Sequence, residues 1–116
     1  MTTEQGKKLF AELEEKGYKK YGKHYKNESF SYFKTFDSSF ANEDSRRGFQ
    51  VAFLVYDYSE YPQAPYRNHY GIQHEFLLLN ESVASRFDFA VTDYKKSVEE
   101  FEEFCHKAYK FIIANL

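Results

Sequence analysis

The chain has no tryptophan, a single cysteine (Cys105), two prolines and five glycines. One cysteine excludes an internal disulfide and the paired cysteine spacing of a zinc site. The scattered glycines form no phosphate-cradling loop and no dinucleotide fingerprint, and G-x-S-x-G is missing. No apolar run reaches the length of a membrane-spanning helix. Residues 2–8 are too polar for a secretory leader. These absences give the expectation of a cytoplasmic protein with no cofactor and no membrane association. Two Asn-Glu-Ser triplets, at 27–29 and 80–82, match a glycosylation acceptor, but without secretion they read as turns.

Neither sign of charge dominates, the net being −2. The layout is uneven, however. Residues 1–26 carry seven Lys against four Glu, a local balance of +3 that leaves −5 for the rest. Strong overall attraction to nucleic acid or to an anionic membrane is therefore not expected, and any such attraction has to be local. At 116 residues the chain reads as a single domain, 1–116. A chain of that size buries roughly two-thirds of its unfolded surface, enough for a core without staples.

What is abundant is ring structure: thirteen Phe and eleven Tyr, mostly at alternate positions in short runs. Alternation marks half-buried strands, because neighbouring side chains in a strand point to opposite faces. Five strands are predicted: a polar one over 18–26, then 29–36, 48–58, 68–79 and 83–92. The 48–58 run is apolar on both faces and reads as the central strand. Residues 37–46 and the proline-bearing stretch 59–67 read as loops.

Helices are predicted at both ends of this set. Thr2 with Gln5 has the spacing of a capping box, and Gly17 stands where a left-handed cap ends a helix. Leu9, Phe10 and Leu13 give that helix a narrow apolar stripe. The last helix can be capped by Thr92 or Asp93, or by Ser97 with Glu100 one turn later. Val98, Phe101, Cys105, Ala108 and Ile112 recur at helical spacing, with Phe104, Phe111 and Leu116 widening the stripe. The expected fold class is α+β: a five-stranded, mainly antiparallel sheet with the N- and C-terminal helices packed on one face. The other face is expected to stay partly bare and aromatic.

Five features could carry chemistry. Lys19, Lys20, Tyr21, Lys23 and Tyr25 lie in a basic, ring-rich segment, 16–26, without an acid. Lysines that neutralise phosphates and tyrosines that stack on bases are how single strands of nucleic acid are held. The same composition suits an edge strand, where Lys blocks pairing with other sheets. The loop holding Tyr56, Tyr58, Tyr61, Tyr66, Arg67 and Tyr70 combines residue types favoured at protein contacts, although these rings can equally pack locally. Pro62-Gln-Ala-Pro65 with Arg67 has the form of a polyproline ligand, but a rigid loop between two strands explains it better. His69 and Glu75 share one strand face while His74 points to the other, so one strand cannot converge them on a metal, and His24 and Asp57 can join either face only if the sheet order allows it. Cys105 lies in an apolar stripe and reads as a small hydrophobe.

No catalytic, cofactor or metal residue is assigned. The expected function is a non-catalytic protein-interaction or self-associating module, with a protein partner or a second copy. Two alternatives stand beside it: nucleic-acid binding through the 16–26 segment, and a small-ligand pocket or enzyme between helices and sheet using His74 and Tyr70.

Overall fold

The capping residues fix where the first helix starts and stops. A computed structural model of the chain describes residues 1–23, 27–37, 48–61, 68–78, 85–91 and 97–115; at 37, 78, 85–91 and 113 it describes the backbone alone. Helix α1 spans Thr3–Glu15. The Gln5 N–H donates to Thr2 Oγ1 at 3.2 Å, and the Thr2 N–H donates back to Gln5 Oε1 at 2.9 Å. At the other end Gly17 takes φ 91°, a region costly for any residue with a Cβ. The Gly17 N–H then reaches the Glu14 carbonyl and the Tyr18 N–H reaches that of Leu13. This pair of bonds is a Schellman cap, closed by burial of both Tyr18 and Leu13 in the main core.

Strands β1 (Lys19–Tyr21), β2 (Phe30–Asp37), β3 (Gly48–Asp57) and β4 (Tyr70–Leu78) follow in chain order, each pair antiparallel. The backbone of Ser85–Val91 continues the ladder on β4, from Leu78↔Ser85 to Ile72↔Val91. Four of the five expected strands are thus described with their faces; at Ser85–Val91 only the register is. Strand β1 is shorter than the expected 18–26, and Tyr25 lies outside the described residues. Helix α2 spans Val98–Ala114. Of the expected caps it uses Ser97, whose Oγ accepts the Glu100 N–H at 3.1 Å; Thr92 and Asp93 lie outside the described residues.

Both helices contribute side chains to one buried cluster. Leu9 and Leu13 of α1, and Val98, Phe101, Cys105 and Tyr109 of α2, share one buried cluster with Tyr32, Phe49, Val51, Phe53, Val55, Ile72 and Phe76. Phe53 stands at its centre, with edge-on ring contacts to Tyr18, His74 and Phe101.

The second face departs from expectation. Its central residues Ser31, Phe33, Ala52, Leu54 and Glu75 are all buried, Leu54 with no exposed surface at all. Phe33, Ala52 and Leu54 form a smaller apolar cluster against which Tyr56 packs. Tyr56 is held there by its hydroxyl, which donates to Gln73 Oε1 at 3.0 Å. The face expected to stay partly bare is thus buried at its middle, with Lys19, Tyr21 and Thr35 exposed toward its margin.

Candidate functional site

The most open chemistry lies at β1. Gly17 ends the turn before this strand, which among the described residues pairs only with β2, in the register Lys19↔Phe33, Lys20↔Tyr32 and Tyr21↔Ser31. Lys19 and Tyr21 therefore share the second face with Phe33 and Ser31, while Lys20 turns toward the helix side. There its ammonium lies 4.3 Å from the Phe30 ring centroid, a cation–π contact. The Tyr21 ring stands edge-on to Phe33 at 5.5 Å and remains 51% exposed.

Beside it an open depression of about 370 Å³ is lined by Tyr21, Gly22, Lys23, Phe33 and Gln50. Gln50 is braced by Thr35, to whose Oγ1 it donates at 3.2 Å. Among the described residues, apart from its chain neighbours, Gly22 has no atom within 4 Å of where a Cβ would lie. Lys19, Lys20 and Lys23 are exposed, and among the described residues none of their ammonium groups meets a carboxylate. The site offers a half-exposed ring, two cations beside it (Lys19 and Lys23), a third on the other side of the strand (Lys20), and the outer backbone edge of the strand. It brings together Lys19, Tyr21 and Lys23 of the expected set and adds Phe33 and Gln50. Those two were hidden in the sequence because only the β1–β2–β3 register carries them to Tyr21.

The other expected sites are engaged within the chain. Tyr56 is bonded to Gln73, and the Tyr61 hydroxyl donates to the Asn27 carbonyl at 3.0 Å. The Tyr58 hydroxyl occupies the space in which a side chain at Gly71 would lie. The Tyr70 ring packs edge-on against Phe10 at 5.1 Å, and its backbone N–H donates to the Met1 carbonyl. Burial raises the Tyr70 hydroxyl above its ordinary pKa. Tyr66, Arg67 and the P-x-x-P stretch lie outside the described residues.

Between helices and sheet, where a pocket using His74 and Tyr70 was expected as an alternative, both side chains pack against other rings. His74 is buried with its ring 4.7 Å from that of Phe101 and 5.2 Å from that of Phe53. Cys105 is buried, and burial, with Glu102 adding to it, pushes its thiol up to about 12, so a reactive thiolate is disfavoured. Among the described residues no three His, Cys, Asp or Glu side chains group as metal ligands. No described helix is long and apolar enough to cross a membrane.

Phe104 and Phe111 were expected to widen the buried stripe of α2. Instead Phe104 is 40% exposed and Phe111 71%. Their helical angle explains this: at about 100° per residue both stand roughly a quarter-turn or more from Cys105, which faces the core.

Nothing matched. Comparison with family models, with curated proteins and with solved structures finds no counterpart to this chain. Any functional conclusion rests on the geometry.

Proposed function

We propose that the protein is a non-catalytic binding module whose β1 edge receives an extended, acidic segment of a partner protein. The observation that carries this is the juxtaposition of half-exposed Tyr21 with Lys19, Lys20 and Lys23 at a strand that, among the described residues, is paired on one side only. An extended segment laid along such an edge gains main-chain hydrogen bonds, and side-chain pockets supply its specificity. Edge lysines normally discourage pairing, and here they discriminate by charge, repelling a second basic edge and favouring an acidic one. The depression at Tyr21 and Phe33 would take one apolar side chain of the ligand. On this reading Ser85–Val91 is a fifth strand at the far edge, both helices stay on the opposite face, and a reducing cytoplasm suits the single cysteine.

Titration of the isotope-labelled protein with an extended Glu- and Asp-rich peptide tests it. Saturable amide shifts at residues 19–23, 31, 33 and 50 are expected. They should weaken with salt, since exposed charges are screened over about 8 Å at physiological ionic strength. Lys19→Glu with Lys23→Glu should abolish them. Unmoved amides at β1 with saturating peptide would end the proposal. Single-stranded nucleic acid is a second reading, favoured by the exposed Tyr21 ring between lysines. A parallel titration with a short oligonucleotide separates the two, because base stacking makes Tyr21→Ala cost more than removal of either lysine.

A further inference from the structure

A separate exposed apolar feature lies on α2. Phe111 is the most exposed of the large apolar side chains described, and Phe104 follows on the same flank about 20° away around the helix. Phe104 is stacked on buried Phe101 with ring centroids 6.3 Å apart, so its ring orientation is anchored to the core. Exposing two phenylalanines on one flank forgoes the burial energy that rings of this size normally gain.

The charges around them are sorted. Glu99 pairs with Lys16 at 2.7 Å, and Glu102 accepts the Tyr18 hydroxyl at 2.7 Å, so these two acids serve the link to α1. Glu100 and Glu103 precede Phe104 on the outward side, and Lys107 and Lys110 lie between Phe104 and Phe111. At about 100° per residue these four lie within roughly a third of a turn of Phe104. Lys107 already reaches Glu103 one turn back, at 3.3 Å.

A surface that is acidic in one half and basic in the other is complementary to its own reversed copy. We propose that α2 pairs antiparallel with α2 of a second copy of this chain, through Phe104 and Phe111. A two-fold axis at the level of Cys105 sets Glu103 against Lys107 of the other copy, and Glu100 against Lys110. The two Phe104 rings meet near the axis, and each Phe111 covers the first turn of the opposite helix. A parallel arrangement would set like charges together. Such an interface is isologous, which is the commonest way a chain forms a closed dimer. It lies on α2 and needs nothing from β1, so it stands or falls apart from the peptide reading.

Sedimentation equilibrium of the intact chain, with charge reversal, tests it. Wild type should dimerise with rising concentration, and Phe104→Ser with Phe111→Ser should weaken this by at least about tenfold. Glu100→Lys with Glu103→Lys should be monomeric alone, and so should Lys107→Glu with Lys110→Glu. An equimolar mixture of these two charge variants should restore dimer, because each then meets its complement. Circular dichroism checks that all variants fold. Wild type that stays monomeric at millimolar concentration would overturn the proposal, as would a mixture that fails to associate. Tyr21→Ala should leave the dimer unchanged, which keeps this outcome separate from that at β1.

Discussion

Gly6 shows how a single missing methyl can be fixed by a distant ring. Mid-helix glycine ordinarily costs about 1 kcal/mol relative to alanine. Here a Cβ would overlap the Tyr70 ring, lying 2.7 Å from Cε2 and closer still to Cδ2. That ring cannot retreat, because Phe10 and Phe30 pack against it at 5.1 and 6.4 Å. Overpacking a filled site costs about 1–3 kcal/mol, which outweighs the propensity gain. Gly6→Ala should therefore lower the urea midpoint of unfolding, and the sign should reverse in a Tyr70→Ala background where the ring is gone. A Gly6→Ala chain more stable than wild type would show the contact to be slack. Nothing local in the sequence marks this glycine, since its partner lies more than sixty residues away.

At the scale of elements, the parts governed by neighbours in sequence were legible. The Thr2–Gln5 box, the Gly17 cap and the Ser97 cap each join residues three to five apart, and all three form as their spacing predicts. The alternation of β3 also holds: Phe49, Val51, Phe53 and Val55 lie in the main core and Ala52 and Leu54 in the smaller one. Expectation failed where burial is decided by what arrives from elsewhere. Phe111 has the right residue type for a core stripe but the wrong helical angle, and Glu28 and Glu75 are buried despite their charge. The β1 site was legible as a basic, ring-rich segment, yet its depression depends on Phe33 and Gln50 from two other strands. Closure of the second face makes a sharp prediction. Leu54→Ala should cost about 2–5 kcal/mol in chemical denaturation, as for a fully buried leucine. A loss below about 1 kcal/mol would indicate a face open to water.

Across the whole molecule, several groups hold their protons more tightly in the fold than outside it. Burial pushes the Tyr32 hydroxyl from 10.0 to about 12, helped by Glu14, and the Cys105 thiol from 9.0 to about 12. Tyr70 is raised by burial, and Lys16 by its hydrogen bond to Glu99. In each case the unfolded chain sheds the proton first, so above its ordinary pKa the native state binds more protons. Stability then falls as pH rises. The contribution is fully present below 9.0 and is lost between there and about 12. Denaturation midpoints measured across that window should decline, and Cys105→Ala should delay the onset toward 10.0, where Tyr32 would begin to titrate in the unfolded chain. A midpoint flat to about 12 would contradict these buried environments.

The chain-order pairing of β1 to β4 also bears on how the molecule assembles. Each of these strands meets its ladder partner after at most 12 intervening residues, so neighbouring strands can pair at less cost in chain entropy than distant elements can. The helices are different, for Lys16 and Glu99 are 83 residues apart and join only once the sheet beneath them exists. Assembly should run as a zipper of hairpins followed by a late clasp of α2 against α1. Substitutions at the Lys16–Glu99 and Tyr18–Glu102 links should then accelerate unfolding while leaving the refolding rate almost untouched.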